Sequence, residues 1–333
     1  MKTSSTTPTR IFSGSRPTGP LHLGNYLGGI KGYLALQEKK EYDCIYAVVD
    51  LHGITSPYNP QNYPQQVQEL VLEYLACGLD PEKAHLIIQS HIPEHIELAY
   101  LFSTIYPVSR LQQLPTYKDK KKNQPHYVNL GLLSYPVLMA ADILIYKAQL
   151  VPVGKDQLPH LELTREIARK FNRLFGKTFP EPQAYLTPGA YVPSLTGQGK
   201  MSKTNSKSYI SLMDNLETIK NKLAKVPTDT GKGKKIPSTG GVATLFTLVQ
   251  LFQGEEKRKE YEKLYLSTGI KYQSLKKELA LAIYQVLQPI QEKRNYYLRR
   301  PKLVRDILTA GEKYARTIAR ETLNEAKEKM GLL

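Results

Sequence analysis

Apolar positions in the first two hundred residues follow two periods in turn. Short β-rich runs at residues 10–14, 44–49, 86–89 and 150–153 read as strands, and apolar residues recur at helical spacing between them. Leu23, Leu27, Ile30 and Leu34 are separated by four, three and four, which predicts one apolar face of a helix starting at about Leu23, after a Pro/Gly turn. Such alternation predicts an α/β fold built on a doubly wound parallel sheet, whose ligands sit at the carboxyl ends of the strands.

Beyond about Asn205 the pattern becomes mainly helical. Leu275, Leu279, Ile283, Val286 and Ile290 form one apolar stripe, and Val304, Ile307, Gly311, Ala315 and Ile318 form another. Residues 228–241, rich in Gly, Lys, Pro and Thr, read as an exposed loop. No internal repeat or long low-complexity tract is present. A length of 333 residues favours two folded units over one, here 1–205 and a helical 206–333.

Composition changes this picture in two places. The 41% hydrophobic content is ample for packed cores, yet no stretch is long and apolar enough to span a bilayer, so no membrane partner is expected. The start, MKTSSTTPTRIF, lacks the apolar run of a secretory signal. Cys44 and Cys77 are far apart, which fits a reducing compartment and offers neither a disulfide framework nor a Cys-rich metal site; the cytoplasm is the expected location. The net charge of +16 is uneven. Residues 1–199 hold 19 basic and 16 acidic side chains, whereas residues 200–333 hold 27 and 14. A basic helical third beside a nearly neutral part suggests that one piece meets a polyanion while the other does chemistry. Charge alone fits a solubilising surface equally well.

Two short motifs flank the α/β part. His22-Leu23-Gly24-Asn25 lies between the first strand and the first helix, where unpaired N–H groups and the positive dipole end attract anions. Gly24 removes a side chain where a nucleotide could lie against the backbone, and His22 and Asn25 can donate to phosphate oxygens. Gly199-Lys200-Met201-Ser202-Lys203-Thr204 places two lysines around a small hydroxyl, which suits the charge that builds on a departing pyrophosphate. Taken singly, the first is equally an ordinary strand-to-helix turn and the second a basic surface loop.

Together they resemble the HIGH and KMSKS signatures of class I aminoacyl-tRNA synthetases, in the expected order. The resemblance covers roughly residues 10–331 and narrows to the bacterial type of the tryptophanyl branch. It is supported by Phe12-Ser13-Gly14, by Val49-Asp50-Leu51-His52-Gly53-Ile54-Thr55, by residues 136–146, by Val151-Pro152-Val153-Gly154-Lys155-Asp156-Gln157 and by Pro289-Ile290-Gln291-Glu292. Asn25 replaces the second His of the class motif and Thr204 the final Ser, and Arg16 stands where many relatives have Gln. The resemblance implies a Rossmann-like catalytic domain over 1–205 and a tRNA anticodon-binding region over 206–333, its last helix packing back on the catalytic domain. It implies ATP as substrate, with Mg²⁺, bound by Ser15, Arg16, Pro17, Gly24, Asn25, Gly154, Lys155, Asp156, Val192 and the run Lys200, Met201, Ser202, Lys203 and Thr204. His22, Asn25, Lys200, Ser202 and Lys203 would stabilise charge on the triphosphate. L-tryptophan would meet Phe12, His52, Tyr135, Met139, Asp142 and Gln157. The partners implied are tRNA(Trp) and a second copy of the chain in a homodimer.

Asp142 stands out on physical grounds alone. It lies in an otherwise almost wholly apolar run, residues 136–146, where an unpartnered carboxylate would be costly. Tyr135, Met139 and Asp142 share one face if a helix begins near Pro136. The resemblance supplies a donor, the indole N–H of tryptophan; a structural aspartate paired to an arginine or a helix end is the other reading. The run Gly154-Lys155-Asp156-Gln157 resembles the family's GxDQ stretch. There Gly154 would admit the nucleotide, Asp156 would accept from a ribose hydroxyl, and Gln157 with Tyr135 would hold the amino acid's polar end. His52 would touch that end too, or be a satisfied loop histidine.

His91-Ile92-Pro93-Glu94-His95 matches H-x-x-E-H, but that zinc chemistry needs both histidines on one uninterrupted helix, and Pro93 suits a first turn. Structural histidines in a connecting segment are expected, with no metal site. Residues 118–122, Lys-Asp-Lys-Lys-Lys, read as a charged loop, solvated in the first reading and touching the acceptor arm of a tRNA in the second. Three other functions share parts of this pattern. A tyrosyl-tRNA synthetase usually has Gln where Met139 stands. A small-molecule nucleotidyltransferase with an HxGH-type turn needs neither the second motif nor a basic domain. A non-catalytic RNA-binding paralogue would be expected to have lost motif residues.

Overall fold

The computed structural model describes residues 8–186, 191–203 and 205–333. Five strands form one parallel sheet: β1 Thr9–Ser15, β2 Tyr42–Val48, β3 Ala84–Ile88, β4 Leu150–Val153 and β5 Gln183–Leu186, in the order β3-β2-β1-β4-β5. Ile11 pairs with Cys44 on one side and Leu150 on the other. The order reverses at β1 and β4, so the crevice beyond their carboxyl ends is the fold's natural ligand site. β5 escapes a sequence search because it is a short edge strand with no fully buried side chain.

Alternation along the strands sends side chains to two cores. Ile11, Cys44, Tyr46, Val48 and Leu86 join the core that includes Leu70, Leu75, Leu275 and Ile283. Phe12, Ile45, Ala47, Ile87 and Val151 face the opposite core with Phe102, Ile143, Leu161 and Phe171. The helical carboxyl-terminal part thus shares a core with the sheet. On Tyr272–Leu298 the buried stripe runs through Leu287, while Val286 is 38% exposed, because a straight helix drifts by part of a residue per turn. The last helix, Pro301–Lys329, lies along β3, where Gly311 is obligatory: a Cβ there would collide with the Leu86 backbone. It is fastened by Arg320 on Glu94 at 2.9 Å, Lys327 on Glu97 at 2.7 Å and Tyr314 on Asp43 at 2.8 Å.

Three local expectations change. The segment after His22 is one α-turn, Leu23–Asn25, then a π-turn at Tyr26–Ile30 before α-helix resumes at Lys31–Leu34. Gly28 and Gly29 sit in that π-turn and line the main cavity, so the wider turn brings bare backbone to a ligand surface. The helix carrying Asp142 is Leu130–Leu144 and starts six residues before Pro136, because Asn129 caps it by accepting from the Leu132 N–H at 2.9 Å. Residues 118–122 lie in a helix, Pro115–Asn123, started by its proline. No helix among the described residues is long and apolar enough to cross a membrane.

Candidate active site

A cavity of about 530 Å³ opens at the carboxyl ends of β1, β2 and β4, where Gly14, Val49 and Gly154 contribute to its wall. Asp142 reaches its floor from Leu130–Leu144 and is 2% exposed. The carboxylate is already well served. Oδ1 accepts from Gln89 Nε2 at 2.7 Å and His95 Nδ1 at 2.6 Å, and Oδ2 accepts from His52 Nε2 at 2.8 Å. A buried carboxylate was expected to have a donor, and three protein donors hold it. Burial by itself would push its acidity down, but the hydrogen bonds and charge of His52 and His95 hold the carboxyl well below the usual range. A carboxylate has roughly four acceptor positions, two per oxygen. Among the described residues three are filled, which leaves one on Oδ2.

The donors come from three separate elements. Gln89, at the end of β3, also accepts from the Leu51 N–H at 3.2 Å. His95 begins Glu94–Ile105 and bonds Tyr146 Oη with its other nitrogen at 2.6 Å. His91 is turned outward onto Glu312 at 2.7 Å, so the two histidines of H-x-x-E-H point to different partners. His52 lines the cavity and bonds Asp142 through Nε2. Phe12, stacked on Tyr146 at 5.4 Å, and Met139 supply apolar wall beside the carboxylate.

A second part of the cavity is polar. Tyr135 Oη lies 2.9 Å from Thr116 Oγ1 and 2.8 Å from His160 Nε2, and Lys120 Nζ sits 4.2 Å above the Tyr135 ring. Gln157 also lines the wall and donates to Asp156 at 2.8 Å. The Asp156 carboxylate lies over Gly154, its Oδ1 2.6 Å from where a Cβ would stand. Arg16 at the mouth and Lys120 share the cavity wall. Burial and then the Arg16 charge push Lys120 down to about 8. Burial, opposed by Glu73 and assisted by Arg16, brings Lys203 to about 8 as well. None of Arg16, Lys120 and Lys203 has a carboxylate ion pair among the described residues. Arg16 and Lys120, two mutually repelling cations on one cavity wall, are suited to a polyanion.

The two signature motifs meet beside this cavity. Asn25 N–H donates to His22 Nδ1 and His22 N–H to Asn25 Oδ1, both at 3.2 Å, which makes a reciprocal cap. An accepting Nδ1 places the proton of neutral His22 on Nε2, where it can donate. Gly24 is needed for protein packing: a Cβ there would lie 2.9 Å from the His22 ring and 3.2 Å from Met201 Cβ. Met201 is buried, and its N–H donates to the carbonyl of Val192, itself in the core. Ser15 bonds Tyr33 and Tyr74, and Pro17 is buried, so both shape the turn rather than line the cavity. Ser202 N–H donates to Ser208 Oγ at 3.1 Å, and Lys203 Nζ to the Gly19 carbonyl at 2.8 Å. Lys155 and Lys200 are exposed outside the cavity. Thr204 lies outside the described residues.

Burial and then the Lys203 charge lower His22 to about 4. Because the folded value falls below the ordinary histidine value of 6.5, the stability tied to neutral His22 is present above about pH 6.5 and is lost as pH falls towards 4. Its ring protons, assigned by comparison with H22Q, are expected to titrate near pH 4 in NMR spectra. A midpoint near 6.5 would mean that the ring is solvated.

Gln89, His95, Thr116, Lys120 and His160 join the site without a sequence signal strong enough to single them out; the nearest was the polar Gln89 at the end of an apolar run. The family pattern "tRNA synthetases class I (W and Y)" matches residues 3–288. Tryptophan–tRNA ligase of Deinococcus radiodurans is 41% identical over 329 residues, covering 98% of this chain and 99% of that protein. That of Caldanaerobacter subterraneus is 42% identical over 331 residues, covering 97% and 98%. Tryptophanyl-tRNA synthetase from Campylobacter jejuni, solved with ADP and tryptophan, is 33% identical with a TM-score of 0.86, covering 97% of this chain and all of that one.

Proposed function

The chain belongs to the class I tRNA synthetases of the tryptophan and tyrosine branch, and we infer that it is the tryptophan member, attaching L-tryptophan to tRNA(Trp) with ATP. The observation that carries this reading is Asp142, left with one acceptor position among the described residues, beside Phe12 and Met139 in a cavity that Arg16 and Lys120 also line. Indole offers one N–H donor and a broad apolar face, which matches that floor.

The reaction has two steps. A carboxylate oxygen of tryptophan attacks the α-phosphorus of ATP, the bond to the bridging oxygen breaks, and pyrophosphate leaves tryptophanyl-adenylate behind. A ribose hydroxyl of tRNA then attacks the acyl carbon and AMP departs. No protein nucleophile is required; the chain positions reactants and opposes developing negative charge. In our reading Phe12 and Met139 flank the indole, and Tyr135 with Gln157 holds the amino-acid end. The nucleotide lies along Gly14, Arg16, Gly28, Gly29 and Gly154. Asn25, Lys200, Ser202 and Lys203 serve the triphosphate, with neutral His22 donating through Nε2. To these we add Lys120, whose ammonium already faces the cavity. Mg²⁺ enters with ATP as part of that substrate.

ATP–pyrophosphate exchange with each of the twenty amino acids tests the reading: tryptophan alone should drive fast exchange. Equal exchange with tyrosine would overturn it.

We assign tRNA binding to the basic region 206–333, and propose that the protein acts as a cytoplasmic homodimer. Ile96, Tyr100, Val108 and Leu130 leave apolar surface for a second copy, between 48% and 76% exposed. Phosphate contacts make affinity fall steeply with salt. Aminoacylation should therefore be strongly salt-sensitive through KM for tRNA, and tryptophan activation much less so. Neutralising Lys and Arg within residues 271–300 should raise KM for tRNA selectively. Unchanged tRNA affinity would leave that charge a solubilising role only.

A further inference from the structure

One ionisable side chain beside the two signature motifs has no part in the reading above. Glu73 sits in the apolar run Leu70–Ala76 of the helix Tyr63–Ala76 and is 2% exposed. Both its oxygens accept from the Leu21 N–H, at 3.1 and 3.2 Å. Leu21 immediately precedes His22, and two residues earlier the Gly19 carbonyl holds Lys203 Nζ at 2.8 Å. The short stretch leading into the first motif is thus tied at one end to Glu73 and at the other to the lysine of the second.

The charges around Glu73 come from every side. Lys203 faces it from the motif loop; Arg16 acts on that lysine, and the lysine in turn acts on His22. Glu69 and Cys77 lie on its own helix, and Arg294 reaches in from Tyr272–Leu298, bonded to Glu69 at 2.6 Å, with Lys293 beside Cys77. Burial pushes Glu73 up to about 7, against the Leu21 hydrogen bond and the charge of Lys203. Glu73 in turn favours the ammonium form of Lys203, which burial and Arg16 disfavour.

We propose that Glu73 is a positioning residue for adenylate formation: its carboxylate fixes the backbone ahead of His22 and supplies the counter-charge that keeps Lys203 an ammonium. A neutral amine could not oppose charge on the departing pyrophosphate. The inference rests on Lys203 serving the pyrophosphate.

The two roles separate on substitution. Gln keeps an acceptor for the Leu21 N–H and removes the charge, whereas Leu removes both. Pyrophosphate exchange by the full-length protein is followed from pH 6 to 9, at saturating tryptophan, for wild type, E73Q, E73L and K203A. Below pH 7 wild-type Glu73 is itself largely protonated, so E73Q should lose least there. As pH rises, E73Q should fall progressively behind, by about tenfold at pH 8.5 if Lys203 drops by one pKa unit, with KM for tryptophan unchanged. E73L should lose kcat at every pH. A wild-type to E73Q ratio that is constant with pH, beside an impaired K203A, would reduce Glu73 to a hydrogen-bond acceptor and overturn the inference alone. A fully active K203A would overturn the inference and the role of Lys203 together. Should E73L fail to fold, the E73Q profile decides.

Discussion

Replacing Asp142 with alanine is expected to weaken activation of tryptophan greatly, because the intact site, built around a buried hydrogen bond, rejects a donor-less analogue by as much as about 10⁴–10⁵. An analogue with no indole N–H, such as benzothiophene-alanine, should lose far less, because it never compensated the remaining acceptor on Oδ2. The substitution has a second effect that the geometry makes explicit. It leaves His52, Gln89 and His95 without their shared partner in a buried place. Removing one member of such a network typically costs about 3–5 kcal/mol, so the melting temperature should fall as well. The ratio between the two amino acids cancels that loss, since both use the same folded fraction. Binding is readily followed, because the chain has 23 tyrosines and no tryptophan, so indole fluorescence reports the substrate alone. Equal losses for tryptophan and analogue would mean that Asp142 organises the three donors and does not read the side chain.

Lys203→Ala is expected to slow single-turnover adenylate formation by about 10²–10³ while leaving tryptophan affinity nearly unchanged, as for removal of one preorganised stabilising group. Lys200→Ala should act in the same direction. Lys203 is held against the carbonyl of Gly19 and is partly buried, whereas Lys200 is exposed, so the larger loss is expected at Lys203. The pH dependence has a definite sign. Lys203 lies near 8 in the ligand-free protein, so activity at low ATP should decline as pH rises through that value and the ammonium is lost. Near-normal rates in both variants would remove the motif loop from the mechanism.

Much of the fold was legible in short stretches. β1, β2, β3 and β4 were read within two residues of their ends, since half-hidden strands and amphipathic helices carry their burial in local spacing. β5 was missed because an edge strand buries too little to leave that trace. Pro136 misled about the start of its helix because a proline inside a helix and one at its first turn look alike until the cap at Asn129 is seen. Lys120 was read as solvated because its run of charge gives no hint of which lysine turns inward.

The sequence by itself determined the strand–helix alternation, the two signature motifs and the oddity of a carboxylate at Asp142, because each is written in neighbouring residues. Only the tertiary structure decided what Asp142 touches. Gln89, His95 and His52 arrive from different elements, and their meeting depends on strand order and on how helices cross the sheet. The same holds for Gly24, whose contacts with the His22 ring and Met201 only the fold shows, and for Glu73, whose oxygens meet the Leu21 N–H from a distant helix. Hydrogen bonds and charges act over a few ångströms in space, and distance along the chain says little about which groups come that close.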